Sequence, residues 1–392
     1  MAGLNETPSA NRLHITFFGK RNSGKSSLVN ALTNQQISLV SNVAGTTTDP
    51  VYKSMELLPI GPVTIIDTAG FDDEGDIGEL RVKRTTDIVD KTDLAILVFS
   101  DNSINSEYEM QWYKRLKEKD IPVVFVFNNF ESNNDNVRVL AEKCSQDFIV
   151  VNAKTRENID ILKNAIIASV PDNYEKRSIT GHLVKKGDTV LLVMPQDIQA
   201  PKGRLILPQV QVIRDLLDIG ALIISVKTEQ MQKAFNDNEN VCLVITDSQI
   251  FDKVKEVTPN HISITSFSVL MANYKGDIEV YKEGAKVIDN LVDGQRVLIA
   301  EGCTHHALDG DIAKIKLPNM IRKYTDRDIL IDNVSGQEFP DDLSKYSLVV
   351  HCGACMFNRK QMMSRIEKSR EQDVPITNFG VLMAYINKVD FK

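Results

Sequence analysis

Short runs of apolar residues alternate along the whole chain with helix-length segments of mixed polarity. The runs in the first part of the chain are continuous rather than alternating, as in strands that a parallel sheet buries on both faces. This pattern predicts an α/β domain built on a doubly wound, mostly parallel sheet. The apolar runs lie at 13–18, 63–67, 94–100 and 121–127, and the helix-length segments at 80–89, 105–119 and 158–169.

Two further α/β segments follow a break at 171–177, where a proline and a run of charges interrupt the pattern. The next segment has apolar runs at 189–194, 221–225 and 241–246, with a helical pattern over 209–218, and the last has runs at 297–300 and 348–350. We therefore expect the α/β class throughout, with an N-terminal doubly wound domain and two smaller α/β domains. The expected domains are 1–172, 180–260 and 261–392.

The composition limits where in the cell the protein is expected and which classes of partner it is expected to bind. A chain of 392 residues with 42% hydrophobic and 25% charged residues is typical of a soluble, multidomain protein. It shows neither a signal peptide nor a run of about 20 apolar residues, so we expect a cytoplasmic protein that does not enter a membrane. The net charge of -7, without a long basic run, argues against a nucleic-acid partner. Cys144 and Cys242 are expected to be small core residues.

A phosphate-binding motif, Gly-x-x-x-x-Gly-Lys-Ser, connects the first predicted strand to the first predicted helix. Its glycines allow backbone amides to surround phosphates, while Lys25 reaches the terminal phosphates and Ser26 can bind Mg²⁺. Asp67, at the end of the next apolar run, is expected in the Mg²⁺ shell, and the amide of Gly70 near the terminal phosphate. The residues assigned to the nucleotide here are Gly19, Asn22, Ser23, Gly24, Lys25, Ser26 and Ser27.

These motifs resemble those of translation-factor-related GTPases, the class that includes TrmE- and Era-type enzymes. The resemblance implies that Thr47, within Gly-Thr-Thr-Thr-Asp, reaches Mg²⁺ and that Asn22 holds K⁺. Phe71 stands where Ras-like enzymes have a water-orienting Gln, which implies slow, potassium-activated hydrolysis of GTP. Glu79 matches a catalytic Glu of some relatives, and an exposed Glu at the start of a helix is the alternative.

The base-recognition motif departs from the pattern of this class. Asn-Asn-Phe-Glu at 128–131 replaces the expected Asn-Lys-x-Asp, so Asn128 and Glu131 are the residues assigned to guanine. Asn129 lacks the apolar stem that a lysine lays against the base. Ala153 and Lys154 resemble the last GTPase motif. The sequence predicts GTP as the nucleotide, with a guanine preference that these replacements could weaken.

Cysteine and histidine residues gather in the last quarter of the chain, directly after two predicted strands. Cys-x-x-Cys can bring two thiolates to one metal, and a third thiolate would come from the other strand end. A closed zinc site, an iron–sulfur cluster and a redox dithiol all fit this spacing, and the number of thiolates mildly favours the cluster. The candidate ligands are Cys303, His305, His351, Cys352 and Cys355.

The pattern Cys-x-His, a gap, then His-Cys-x-x-Cys behind a GTPase domain resembles the HydF family of FeFe-hydrogenase maturation GTPases. The segments 202–209 and 264–268 resemble the same family. The resemblance implies a 4Fe–4S cluster on Cys303, Cys352 and Cys355, with an exchangeable fourth position for which His305 and His351 are possible ligands.

The same resemblance implies a function and a set of partners. The chain would be a homodimeric scaffold that assembles or delivers the diiron precursor of the hydrogenase active site as transient cargo. Its partners would be the radical-SAM maturases and the apo FeFe-hydrogenase, and nucleotide state would bias these interactions. The alternatives are an RNA-directed GTPase with a zinc-ribbon-like tail, and a GTP-dependent redox sensor with a reversible Cys352–Cys355 disulfide.

Overall fold

The structure, a computed structural model, divides the chain into two compact units, residues 1–176 and 177–392. The described residues are 9–33, 50–68, 87–100, 106–129, 135–171, 177–195, 205–302, 312–336 and 338–389.

The first unit contains a six-stranded sheet in the order β2-β3-β1-β4-β5-β6. Only the β2–β3 pair is antiparallel among the described strands. The predicted mostly parallel, doubly wound domain is therefore confirmed. The strands are β1 Leu13–Phe18, β2 Val51–Leu57, β3 Gly61–Asp67, β4 Leu94–Phe99, β5 Val123–Asn128 and β6 Ile149–Val151, and the helices are Lys25–Thr33, Glu107–Glu118, Asp135–Cys144 and Ile159–Ala168.

Strand β4 explains why the apolar runs are continuous. All six of its residues are buried. Leu94, Ile96 and Val98 enter the core on one face of the sheet, and Ala95, Leu97 and Phe99 enter the core on the other. Because helices cover both faces, neither face tolerates polar residues. The chain passes from one side of β1 to the other between β3 and β4, and ligands bind at the carboxyl ends of strands at such a switch point.

The second unit contains two four-stranded sheets, β10-β9-β7-β8 and β12-β11-β13-β14, and all described pairs in them are parallel. The strands are β7 Thr189–Val193, β8 Leu222–Val226, β9 Val241–Thr246, β10 Ser263–Ser266, β11 Arg296–Glu301, β12 Leu330–Ser335, β13 Leu348–His351 and β14 Ile376–Asn378. The helices are Leu207–Ile219, Met231–Asp237, Phe251–Val257, Phe267–Lys275, Ile278–Lys286, Leu317–Thr325, Arg359–Glu371 and Phe379–Ile386.

The domain boundary expected between residues 260 and 261 needs correction. Strand β10 pairs with β9 and completes the second sheet. The following helix, Phe267–Lys275, contributes Leu270 and Met271 to the core of that sheet, while Val269 enters the core of the third sheet. The helix is apolar on both sides because it lies between two cores. The second sheet therefore extends past residue 260, and the two sheets of this unit share one helix.

The two isolated cysteines behave differently. Cys144 is buried, as expected, but Cys242 is exposed, so the expectation of a core residue was wrong there. Cys242 is the second residue of β9, where its neighbours Val241 and Leu243 are buried and it points to the opposite face. Across the described residues, no helix is both long and apolar enough to cross a bilayer.

Candidate functional site

The phosphate-binding loop lies at the switch point of the first sheet. It connects β1 to the helix Lys25–Thr33, and its first residue, Gly19, lies against β4. A Cβ atom on Gly19 would lie 2.5 Å from the carbonyl oxygen of Val98, so only glycine fits there. Asn22 and Gly24 have positive φ values of 60° and 86°. These conformations turn the loop tightly before the helix begins.

Three side chains with the expected chemistry converge in this loop. The ammonium group of Lys25 donates to the carbonyl oxygens of Gly19 and Lys20, at 2.9 and 2.7 Å. Ser26 Oγ donates to Asp67 Oδ2 at 2.5 Å. Asp67 Oδ1 and Ser23 Oγ are buried and have no hydrogen-bond partner among the described residues. Burial raises the pKa of Asp67. A hydroxyl beside a buried carboxylate with one unpartnered oxygen is an oxygen-only donor set that fits Mg²⁺.

Asn128 joins the phosphate-binding loop to the last GTPase motif. It is fully buried at the end of β5. Its Nδ2 donates to the carbonyl oxygen of Ser23 at 3.2 Å, and its Oδ1 accepts from the amide of Ala153 at 3.1 Å. Asn129 is also buried, and its amide donates to Val151 O at 2.8 Å. Asn128, the first Asn of the motif, thus connects by hydrogen bonds two loops that are distant in sequence, those of Ser23 and Ala153.

The structure brings together the described part of the predicted nucleotide set. Ser27 is half-buried in the first helical turn and Lys154 is exposed beside Ala153. The sequence analysis did not identify Lys53, a buried residue of β2. Its Nζ donates to Asn30 Oδ1 at 2.6 Å, and burial lowers its pKa. No motif marks it. Thr47, Gly70, Glu79 and Glu131 lie outside the described residues.

The second candidate site lies where β11 and β13 end side by side. Because these strands are parallel neighbours, Gly302 and Cys352 lie at the same edge of the third sheet. Cys352 Sγ accepts hydrogen bonds from the amides of Gly302 and Ala354, at 3.0 and 3.4 Å. Burial raises the pKa of the Cys352 thiol to about 11, although these two amides lower it. Metal binding at this sulfur would therefore release a proton.

Cys355, the second residue of Cys-x-x-Cys, lies in the same loop and is half-buried. Ala354 between the two cysteines has a φ of 48°, which turns the loop back on itself. Cys303 and His305 lie outside the described residues. Within the described residues, no three Cys, His, Asp or Glu side chains come together as a metal site.

His351 is fully buried and both of its ring nitrogens are hydrogen-bonded. Nε2 lies 2.7 Å from Arg365 Nη1, and Nδ1 lies 2.9 Å from the carbonyl oxygen of Cys352. A guanidinium group only donates, so Nε2 accepts and Nδ1 carries the proton. Burial, and then the charge of Arg365, lowers the pKa of His351 to about 3. In this arrangement a neutral His351 orients the Cys352 carbonyl, and binding iron would break one of its hydrogen bonds.

Two cations beside this loop carry no motif and were missed. Arg365 lies between the rings of Phe339 and Phe357, 4.7 and 4.5 Å from their centroids, and also donates to Gly336 O. Lys275 is buried at the end of the helix Phe267–Lys275. Burial lowers the pKa of Lys275 to about 8, and the nearby Cys355 and Cys352 raise it. In the sequence, both look like ordinary helix-surface residues.

Three family models match the chain. Residues 14–129 match the 50S ribosome-binding GTPase model, residues 179–276 the hydrogen maturase F dimerization domain, and residues 279–390 the hydrogen maturase F tetramerization domain. Both oligomerization domains lie in the second unit, and their boundary falls at the helix shared by the two sheets. The two hydrogen maturase F models together match more than half of the chain, and the GTPase model matches most of the first unit.

Proteins named as GTPases match less than half of the chain. A tRNA modification GTPase MnmE from Chromobacterium violaceum is 34% identical over 40% of this chain and 35% of its own length. A GTPase Der from Wolinella succinogenes is 32% identical over 46% of this chain and 40% of its own length. The chain thus spans little more than a third of the curated relatives that it matches. The structure of Era from Aquifex aeolicus matches with 16% identity and a TM-score of 0.37, over 64% of this chain and 98% of Era.

Proposed function

The chain belongs to the hydrogen maturase F family, and we propose that it is a GTP-hydrolysing scaffold that carries a 4Fe–4S cluster and delivers cargo. The cargo is the diiron precursor of the FeFe-hydrogenase active site, held transiently before transfer to the apo-hydrogenase. The observation that supports this most directly is at Cys352, whose Sγ accepts two backbone amides. Amide hydrogen bonds to sulfur stabilise the thiolate form that metal ligation requires.

Cys303, Cys352 and Cys355 are the proposed cluster ligands. Gly302, whose amide reaches Cys352 Sγ, directly precedes Cys303 in the chain, so the third thiolate belongs to a segment that starts beside the Cys-x-x-Cys loop. Three thiolates on a 4Fe–4S cluster leave one iron without a cysteine. An exchangeable group at that iron suits a site that must bind cargo reversibly. His305 stays a possible fourth ligand, and His351 acts through its hydrogen bond to the Cys352 carbonyl.

The nucleotide site is proposed to bind GTP with Mg²⁺ and to hydrolyse it slowly. Ser26, Asp67 and Thr47 would hold Mg²⁺, which neutralises charge on the phosphates. Asn22 would hold K⁺, and Glu79 would orient water. Lys25 would exchange its two carbonyl acceptors for phosphate oxygens when nucleotide binds. Gly70 would sense the terminal phosphate, and the adjoining segments would convey nucleotide state to the partner maturases.

Self-association is proposed to use the exposed apolar surface of the second sheet. Strand β8 is an edge strand, and Leu222 on it is 62% exposed. Leu217, on the preceding helix, is 59% exposed. A strand edge that no other described strand covers, with apolar neighbours, is a surface that a second copy of the chain can cover. We assign the homodimer contact to this face.

One set of variants tests both sites in the full chain after anaerobic purification. Cys303→Ala, Cys352→Ala and Cys355→Ala should each lose iron and sulfide, with loss of the cluster EPR signal, while GTP hydrolysis persists. Lys25→Ala should lose nucleotide binding and keep its iron. Iron content equal to that of the wild-type chain in all three cysteine variants would refute the ligand assignment. Zinc in place of iron in the wild-type chain would replace the cluster by a structural zinc site.

A further inference from the structure

Lys275 places a buried positive charge directly beneath the Cys-x-x-Cys loop. It is the last residue of the helix Phe267–Lys275 and is only 2% exposed. Its Nζ donates to the carbonyl oxygens of Ala354, Cys355 and Phe357, at 3.0, 3.3 and 2.7 Å. An ammonium group has three donors, and here each of them has a carbonyl acceptor in one short loop.

Arg359 makes the reverse connection. It begins the helix that follows the loop, and its Nη1 donates to the carbonyl oxygens of Tyr274 and Gly276, at 3.2 and 2.6 Å. These are the residues on either side of Lys275. The last carbonyls of a helix lack partners within that helix, and a cation satisfies them well. Hydrogen bonds therefore connect the end of the helix Phe267–Lys275 and the loop in both directions, from Lys275 to the loop and from Arg359 to the end of the helix.

The carbonyls around the two cysteines are largely occupied by side-chain donors. Asn378 Nδ2 donates to Cys352 O at 3.1 Å, in addition to the bond from His351, and Lys275 takes the carbonyls of Ala354 and Cys355. With its carbonyls drawn toward these donors, the loop directs the Ala354 amide at Cys352 Sγ. A backbone held in this way presents amides rather than carbonyls to the sulfur.

We propose that Lys275 is the positioning residue of the metal-binding loop, which it holds in its ligand-presenting conformation before metal arrives. Its positive charge also stabilises the anionic thiolates and the more reduced state of a bound cluster. The inference rests on the proposed function for the identity of the metal group. The holding of the loop applies to any metal bound by these thiolates. Because Lys275 belongs to the dimerization domain, it links that domain to the cluster loop.

The test compares Lys275→Met with Lys255→Met in the full chain. Lys255 is a matched control because it also donates to a backbone carbonyl, that of Lys388, but on the exposed surface. Cadmium titration of the metal-free chain, followed by thiolate–cadmium absorbance, measures metal affinity. Supporting residues of metal sites typically contribute 10–100-fold in affinity, so Lys275→Met should bind Cd²⁺ about 10–100-fold more weakly than the control. The midpoint potential of the reconstituted cluster should move to a more negative value.

Lys275→Gln distinguishes the effect of the hydrogen bonds from the effect of the charge. It also keeps the test possible if Lys275→Met does not fold. It keeps amide donors, so it should recover part of the cadmium affinity but not the midpoint potential. Thermal unfolding by circular dichroism reports the folded fraction of each variant, and affinities are expressed per folded chain. Cadmium affinity and midpoint potential equal to those of Lys255→Met in both Lys275 variants would overturn the inference. A wild-type chain that binds Cd²⁺ but no cluster would overturn the proposed function, and the cadmium comparison would still decide the role of Lys275.

Discussion

Replacement of Asn128 by Ala should uncouple the phosphate-binding loop from the last GTPase motif. The substitution removes both hydrogen bonds of the side chain, to Ser23 O and from the Ala153 amide. Both groups are left at a fully buried position that water does not reach. An unsatisfied buried donor or acceptor costs about 1–3 kcal/mol, so the two together should lower the free energy of unfolding by about 2–6 kcal/mol. GTP affinity should fall with it, because Ser23 belongs to the loop that holds the phosphates.

The assay uses the single tryptophan of the chain as a selective probe. Trp112 lies in the first unit, is 5% exposed, and stacks on Phe18 with ring centroids 5.9 Å apart. Its fluorescence therefore follows unfolding of the GTPase unit without interference from the second unit. With a urea dependence of about 2 kcal/mol per molar, the midpoint should fall by roughly 1–3 M. Nucleotide affinity is measured in parallel with a fluorescent GTP analogue.

Asn152→Ala is the matched control for this experiment. Asn152 Oδ1 also accepts hydrogen bonds from two backbone amides, those of Lys154 and Thr155, both at 3.0 Å. Asn152 is only half-buried, and these two hydrogen bonds are exposed to solvent. Water can replace those bonds, so this variant should lose less than about 1 kcal/mol. Equal urea midpoints for the two variants would refute the reasoning, because burial would then make no difference. An unchanged midpoint for Asn128→Ala would show that the bridge contributes nothing to stability.

Two further predictions concern a close backbone approach and the oligomer. Gly19→Ala should abolish GTP binding in equilibrium dialysis, because the added Cβ would lie 2.5 Å from Val98 O. Gly187→Ala is the control and should bind GTP normally, because Gly187 also has a positive φ but its added Cβ would meet no described atom within 4 Å. Binding of GTP by Gly19→Ala would contradict the geometry. Leu222→Lys should reduce the mass measured by light scattering, because it places a charge on the edge of β8. Val139→Lys, a substitution of an exposed residue of the first unit, is the control and should leave the mass unchanged. An unchanged mass for Leu222→Lys would place the contact elsewhere.

The sequence alone was enough to predict the class of fold, and it supplied candidate residues for a nucleotide site and for a metal site. Continuous apolar runs such as 94–100 predicted buried parallel strands, because a sheet covered on both faces excludes polar residues. Strands of mixed polarity, such as β12, were missed, since they lack a continuous apolar run. The domain boundary was misplaced after residue 260, because a helix that packs into two cores shows no break in its hydrophobic pattern.

The motifs in turn marked the phosphate-binding loop and the cysteines, because phosphate and metal chemistry require particular residues at short, fixed spacing. How those residues are supported follows from the folded structure and not from the motifs. Lys275 is separated from Ala354 by 79 positions in the sequence, and Asn128 from Ser23 by 105. Hydrogen bonds over such distances leave no local pattern, since the partner carbonyls belong to the backbone, which is the same for every residue type. The identity of a supporting residue therefore becomes visible only once the chain is folded.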